Sequence, residues 1–141
     1  MSLTGEVRYI MDWDNLNFVP EEFACRCGCN ATEIKDDFVL VLQEIRSSYG
    51  KSMHVTSGYR CEAHPVERKK IDKGGKPGSH YSGYAADIAC VGQDAMRLLR
   101  ISLNSPKITG IGVKQNGPHN TRFIHLDMLQ EVTNRPTIWS Y

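Results

Sequence analysis

The sequence predicts an α+β domain in which a small antiparallel sheet is flanked by two or three helices. Two segments carry apolar residues at helical spacing, and four shorter segments have the apolar or alternating pattern of strands. No repeat, low-complexity tract or linker divides the chain, and 141 residues is the size of one domain. We therefore expect an N-terminal extension at residues 1–17 and a single domain at residues 18–141.

The first helix is indicated by an apolar stripe with a 3.6-residue period, which Gly50 is placed to end. The members of the stripe are Ile34, Phe38, Val41, Leu42, Ile45 and Tyr49. Residues 5–20, which precede it and contain a short alternation at 7–11, are expected to be extended. A short strand pattern follows the helix at residues 53–56. Residues 61–78 are polar and basic, and we expect them to form a long surface loop that borders a site.

The second half of the chain predicts a helix among strands. Residues 84–90 have a strand pattern, and residues 93–103 have an amphipathic helix pattern. Residues 108–113 and 122–129 are strand candidates joined by a turn that contains Asn116-Gly117. Because Asn-Gly is a strong turn signal, we expect these two strands to form a hairpin.

The charge balance excludes some classes of partner. Seventeen basic and sixteen acidic residues leave a net charge of +1, so the chain lacks the large positive field of a nucleic-acid or anionic-membrane binder. No apolar run approaches the roughly 20 residues that span a bilayer. No signal peptide is visible at the N-terminus. We expect a soluble monomer that binds no nucleic acid and inserts into no membrane.

The five cysteines allow several interpretations. They are Cys25, Cys27, Cys29, Cys61 and Cys90, and their odd number argues against a fully paired disulfide framework. The spacing of the first three also differs from the C-x2-C knuckle of ordinary zinc sites. A metal clip completed by Cys61, a disulfide to Cys61 and reduced, partly buried thiols all remain open.

Two of the five histidines have neighbours that suggest a metal site. In the strand at 84–90, Asp87 shares a face with two alanines, which leaves room beside its carboxylate. In the strand at 122–129, His125 and Asp127 share a face. If the two strands pair, Asp87 and His125 converge, and His80, which Gly83 frees to turn, reaches the same place. Two imidazoles and one carboxylate leave a fourth tetrahedral position for water, which is the composition of a catalytic zinc site.

Three motifs, in this order and spacing, resemble the M15 family of zinc peptidases. They are Ser57-Gly-Tyr-Arg60, His80-Tyr-Ser-Gly-Tyr-Ala-Ala-Asp-Ile88 and Phe123-Ile-His-Leu-Asp127. The family comprises D-alanyl-D-alanine carboxypeptidases and L-alanyl-D-glutamate endopeptidases of bacterial cell walls and phage endolysins, and its fold is related to the hedgehog signalling domain. The opening Phe23-Ala-Cys25 and the aromatic closing segment at 135–141 are similar to those of short phage-type members.

The resemblance, which spans about residues 18–141, implies roles for individual residues. His80, Asp87 and His125 match the family's zinc ligands. Arg60 matches the arginine that polarises the scissile carbonyl or binds a substrate carboxylate. A guanidinium near the metal supplies positive charge where an oxyanion develops, which agrees with that role.

The general base departs from the family pattern. Several branches place a carboxylate three residues before the last zinc histidine, and Arg122 stands there in this chain. An arginine cannot be deprotonated at useful pH. Asp127 and His119 are therefore the candidates for the base, and Asp127 has the alternative role of orienting His125.

These observations predict a zinc-dependent peptidase that cleaves D-amino-acid-containing stem peptides of bacterial peptidoglycan. We expect cytoplasmic synthesis and action on the cell wall after phage-type release or as part of a virion. One alternative is a non-catalytic zinc-binding or phage structural protein that contacts peptidoglycan with the same fold. Another is a cysteine-based redox or metal protein built on Cys25, Cys27 and Cys29.

Overall fold

The computed structural model describes residues 11–130 and 134–141, which form three α-helices and five β-strands. The helices are α1 (Asp36–Tyr49), α2 (Pro65–Asp72) and α3 (Gly92–Leu103). The strands are β1 (His54–Ser57), β2 (Ala85–Ala89), β3 (Gly110–Lys114), β4 (Phe123–Asp127) and β5 (Thr137–Ser140). None of these helices is long and apolar enough to cross a membrane.

The five strands form one sheet in the order β1-β2-β4-β3-β5. The pairs β1–β2, β2–β4 and β3–β4 are antiparallel, and β5 joins β3 in parallel. The predicted α+β class, with a small and mostly antiparallel sheet, is confirmed. The expected hairpin between β3 and β4 is also present.

The two longer helices and one face of the sheet enclose the core. Ile88 of β2 and Leu126 of β4 belong to the same buried cluster as Leu42 of α1 and Leu98 of α3. Burial of a side chain of this size contributes about 1.5–3 kcal/mol. Since successive strand residues point to opposite faces, the alternate positions on β2 and β4 are directed away from the helices. Asp87 of β2 and both His125 and Asp127 of β4 occupy those positions.

Helix α1 agrees with its predicted stripe and stop. Gly50 adopts a left-handed conformation with a φ of 74°, which a residue without a Cβ accepts readily. Its N–H donates to the Arg46 carbonyl at 3.0 Å, and the helix ends there. The apolar stripe therefore predicted which face of α1 is buried, and Gly50 predicted where the helix ends.

Three segments differ from the sequence prediction. The predicted surface loop at 61–78 contains α2, which begins at Pro65 after His64, whose Nδ1 accepts the Val66 N–H at 3.2 Å. The C-terminal tail, for which the sequence predicts no strand, forms β5. The part of residues 5–20 that the structure describes contains short 3-10 turns at Trp13–Asn15 and from Pro20 onward, rather than an extended chain. The alternation predicted at 7–11 lies almost entirely outside the described residues.

Candidate metal site

A row of residues crosses four strands on the face of the sheet opposite the helices. Asp87 of β2 lies opposite His125 of β4, which lies opposite Gly112 of β3, which in turn lies opposite Trp139 of β5. Directly opposed residues point to the same face of a sheet. Strand register therefore brings a carboxylate, an imidazole and an indole together from distant parts of the chain.

His80 reaches this row from a 3-10 turn at Ser79–Ser82, just before β2. The turn ends at Gly83, which has a φ of 81°. His80 Nδ1 lies 2.7 Å from the Gly58 carbonyl oxygen, so its proton is donated there. His80 Nε2 is consequently free to face the Asp87 carboxylate, from which it lies 3.3 Å.

His125 presents its other ring nitrogen to the same carboxylate. Its Nδ1 lies 3.0 Å from Asp87 Oδ1, while its Nε2 lies 2.8 Å from Asp127 Oδ2. One donor atom from each of His80, Asp87 and His125 falls within 4.8 Å of the others. The three predicted ligand residues are thus brought to one point.

The site is shielded from solvent and favours a positive charge. His80, Asp87 and His125 are each 5% exposed or less. Burial raises the pKa of Asp87, but hydrogen bonds from His125 and His80 outweigh burial and hold that pKa well below its usual range. Burial lowers the pKa of His125, but the carboxylates of Asp127 and Asp87 outweigh burial and raise it.

This donor set fits zinc. Zn²⁺ binds imidazole nitrogen and carboxylate oxygen, and catalytic zinc sites commonly use three protein ligands. An ionised, buried carboxylate between two imidazoles supplies the charge that a dication requires. The nitrogens that face Asp87 are fixed by the Gly58 carbonyl and by Asp127, as expected for metal-binding histidines.

Arg60 lies beside the carboxylate of this group. Its Nη2 is 3.5 Å from Asp87 Oδ2, and its Nε donates to Ser57 Oγ at 2.9 Å. A bulge in β1 between Val55 and Ser57 places Ser57 opposite Asp87. The structure thus puts the guanidinium at the edge of the candidate metal site, with 16% of the side chain exposed.

Glu67 of α2 is a site neighbour that the sequence analysis missed. Its side chain is fully buried, its Oε1 accepts the Gly78 N–H at 2.6 Å, and its Oε2 lies 3.8 Å from Arg60 Nη1. The carboxylate therefore anchors both the arginine and the chain that leads to His80. The surrounding helix is too polar to show an apolar stripe, and only Pro65 at its first position gave a sequence signal.

Asp127 is held on several sides. The guanidinium of Arg135 donates to both carboxylate oxygens, from Nε to Oδ1 at 3.0 Å and from Nη2 to Oδ2 at 2.8 Å. Burial raises the pKa of Asp127, but the hydrogen bonds from His125 and Arg135 lower it further than burial raises it. Gly110 faces this carboxylate, and a Cβ at that position would collide with it. Such a clamped, ionised group suits the orientation of His125 better than proton transfer.

The second candidate for the base, His119, stands apart from the ligand group. It lies exposed in a 3-10 turn at His119–Thr121, before β4, and is not part of the cluster formed by the three ligand residues. Arg122, three residues before His125, donates from Nε to the Gly117 carbonyl at 3.0 Å and so holds the turn between β3 and β4.

Strand β5, which the sequence pattern does not predict, places an aromatic ring beside His125. The Trp139 ring lies 5.1 Å from the His125 ring, and the Arg135 guanidinium lies 5.0 Å from the Trp139 ring. Gly112 makes room for the indole, because a Cβ there would come within 2.6 Å of Trp139 Nε1. Strand β5 therefore covers one side of His125.

Asp127→Asn tests whether this carboxylate orients His125 or accepts a proton. For an orienting role, we expect zinc affinity to fall about 10–100-fold and the lost activity to return in excess zinc. For a base, zinc affinity would be unchanged while kcat fell. Zinc titration against a competing chelator, followed by rate measurements at saturating zinc, separates the two. We expect His119→Ala to change neither quantity, and a selective loss of kcat in that variant would make His119 the base instead.

The fold is a small α+β domain, and its three candidate ligand residues have the composition of a catalytic zinc site. The family model described as Peptidase M15 matches residues 16–127, a range that contains Arg60 and all three ligand residues. Because the match covers most of the chain, the protein belongs to the M15 peptidase family. The family consists of zinc enzymes, and membership implies a metallopeptidase. No curated protein matches the chain.

Proposed function

We propose that the protein is a zinc peptidase that cleaves stem peptides of bacterial peptidoglycan. The observation that carries the proposal is the convergence of His80, Asp87 and His125, with Arg60 3.5 Å from the Asp87 carboxylate. The family match supports a peptide substrate. Action on the cell wall, after phage-type release or from a virion, is part of the same proposal.

His80 Nε2, Asp87 and His125 Nδ1 would hold the metal. When bound, zinc supplies a Lewis acid that polarises a carbonyl and lowers the pKa of bound water to about 7. Asp127 keeps the His125 Nε2 proton in place, and the Gly58 carbonyl does the same for His80 Nδ1. These two contacts fix which ring nitrogens are free to bind.

Arg60 would stabilise negative charge on the scissile carbonyl oxygen. A fixed guanidinium in a site shielded from water is worth more than in solvent, since the local dielectric is low. Ser57, Asp87 and Glu67 all contact the guanidinium and limit its movement. The arginine is therefore positioned before substrate arrives, as electrostatic stabilisation requires.

Purified muropeptides provide the direct test of this function. We expect the zinc-loaded protein to shorten or split the stem peptides, and mass spectrometry identifies the bond from the fragments. A strong chelator should abolish cleavage, and added zinc should restore it. Muropeptides left intact by a fully zinc-loaded, folded protein would contradict the proposal. Cleavage of stem peptides that persists after complete zinc removal would contradict its mechanism.

A non-catalytic peptidoglycan-binding protein is a second candidate, and one observation favours it. Two carboxylates next to the site, Asp127 and Glu67, are each engaged by an arginine, and Arg122 replaces the family's usual base. A protein of this kind would bind muropeptides without changing their mass. Equilibrium binding measured on the same samples as cleavage therefore distinguishes the two functions.

A further inference from the structure

A second group of potential metal ligands shares no residue with the site described above. The Sγ atoms of Cys25, Cys27, Cys29 and Cys61 all lie within 4.8 Å of one another. The Cys61 sulfur is 3.7 Å from that of Cys25, 3.4 Å from that of Cys27 and 3.6 Å from that of Cys29. Three thiols from one short turn thus surround a fourth from a distant loop.

The distances from the Cys61 sulfur to the other three sulfurs, 3.4–3.7 Å, are close to those in a tetrahedron of sulfurs around a metal. Four sulfurs bound to zinc at about 2.3 Å lie about 3.8 Å from one another. All five cysteines of the chain are free thiols. A disulfide joins only two sulfurs, so pairing Cys61 with one partner would leave the other two thiols of the turn unexplained.

The backbone is shaped so that the three alternate cysteines face the same point. Gly28 has a φ of 107° and Asn30 a φ of 55°, and the Cys25 N–H donates to the Ala31 carbonyl at 2.7 Å. The segment is therefore a tight turn. The turn brings the three sulfurs within 4.8 Å of one another, whereas alternate residues on one face of an extended strand are about 6–7 Å apart.

Backbone N–H groups point at two of the sulfurs. The Cys61 N–H lies 3.4 Å from Cys25 Sγ, and the Ala31 N–H lies 3.4 Å from Cys29 Sγ. Donors of this kind stabilise negative charge on sulfur, and the thiolate is the form that binds metals. Cys27 and Cys29 are exposed, which gives an ion a path from solvent.

We propose that Cys25, Cys27, Cys29 and Cys61 form a structural zinc site with four thiolate ligands. A tetrahedral set of four sulfurs selects zinc or iron, and four protein ligands leave no open position for catalysis. The site would tie the turn at 25–29 to Cys61, which directly follows Arg60. A hydrogen bond from the Tyr59 N–H to the Phe23 carbonyl, at 2.9 Å, already aligns the same two segments. The metal would therefore brace the loop that carries Arg60.

The metal content of single-cysteine variants tests the proposal. We expect about two equivalents of zinc per chain in the wild type and about one in Cys27→Ser and in Cys61→Ser. Cys90→Ser is the matched control, since Cys90 lies outside the cluster and its sulfur contacts the Ile88 carbonyl. This control should keep both zinc equivalents. Circular dichroism shows whether each variant is folded.

Cobalt substitution tests the same site without altering a cysteine. In a His80→Ala chain, where the first site is disabled, Co²⁺ should give the intense sulfur-to-cobalt charge-transfer absorption and the visible bands of tetrahedral thiolate coordination. Cys61→Ser in that background should remove the absorption, whereas Cys90→Ser should retain it.

Two outcomes would overturn the proposal. One is a His80→Ala chain that gives no thiolate–cobalt absorption under reducing conditions. The other is a Cys27→Ser or Cys61→Ser variant that keeps the full wild-type zinc content. The proposal does not depend on the peptidase activity, because both readouts report coordination by sulfur. A protein without muropeptide cleavage could still bind this metal, and the reverse also holds.

Discussion

Asp87→Asn is expected to abolish peptide hydrolysis and to lower the zinc content by about one equivalent per chain. Asp87 supplies the anionic donor of the ligand group, and its carboxylate lies 3.0 Å from His125 Nδ1 and 3.3 Å from His80 Nε2. Asparagine keeps the size of the side chain but removes its charge. Without that charge, two neutral imidazoles remain to hold a dication in a buried place, which is unfavourable. Elemental analysis and mass spectrometry of muropeptides measure the two effects.

Asp94→Asn is the matched control for this substitution. Asp94 is a partly exposed aspartate whose partner is Lys51, at 2.8 Å, and such surface pairs contribute at most about 1 kcal/mol. This control should keep full zinc content and full activity. An Asp87→Asn chain that retained both would remove Asp87 from the ligand set. A folded Asp87→Asn chain that lost activity but kept its zinc would assign the carboxylate a role other than metal binding.

The ligand group could be anticipated from the sequence because it rests on local rules. Alternation along β2 and β4 placed Asp87 and His125 on the same side of their strands, opposite the apolar residues that meet the helices. The remaining condition was that the two strands pair, and the register sets the two residues directly opposite each other. The position of His80 required only a short turn before β2, and Gly83 marked it.

The surroundings of the site could not be predicted, since they depend on contacts between distant segments. Glu67 lies in a helix without an apolar stripe, so its burial against Arg60 and Gly78 leaves no periodic signal. Strand β5 is four residues long and pairs in parallel with β3, which local pattern does not reveal. The contact between Arg135 and Asp127 was therefore not predicted, and it adds support to the orienting role of that carboxylate.

The turn at residues 25–29 also could not be predicted, although its residues are close together in the sequence. No local pattern indicates this turn, because Asn30, a residue with a side chain, adopts a positive φ there. Asparagine accepts that conformation more readily than most residues, but an asparagine in a sequence does not by itself predict a positive φ. The convergence of Cys25, Cys27 and Cys29 on Cys61 consequently appears only in three dimensions.

Arg60→Ala is expected to lower kcat/KM by about 10²–10³ while zinc content stays unchanged. The guanidinium lies beside Asp87 but is not itself a metal donor, so its loss removes positive charge without removing a ligand. Arg60→Lys should restore only part of the rate. Lysine keeps the charge but lacks the planar fork that contacts Ser57, Asp87 and Glu67 together.

The kinetic parameter that changes identifies what Arg60 contacts in the substrate. Because Arg60 is adjacent to a member of the ligand group, we expect the loss to fall on kcat, both for a stem peptide with a free C-terminal carboxylate and for the same peptide as its amide. A rise in KM for the free acid alone would instead show that the arginine binds the substrate carboxylate, as a carboxypeptidase requires. Arg68→Ala, which removes an exposed arginine paired with Asp72 at 3.0 Å, is the matched control and should behave as wild type. Full activity in Arg60→Ala toward both peptides would exclude the arginine from the mechanism.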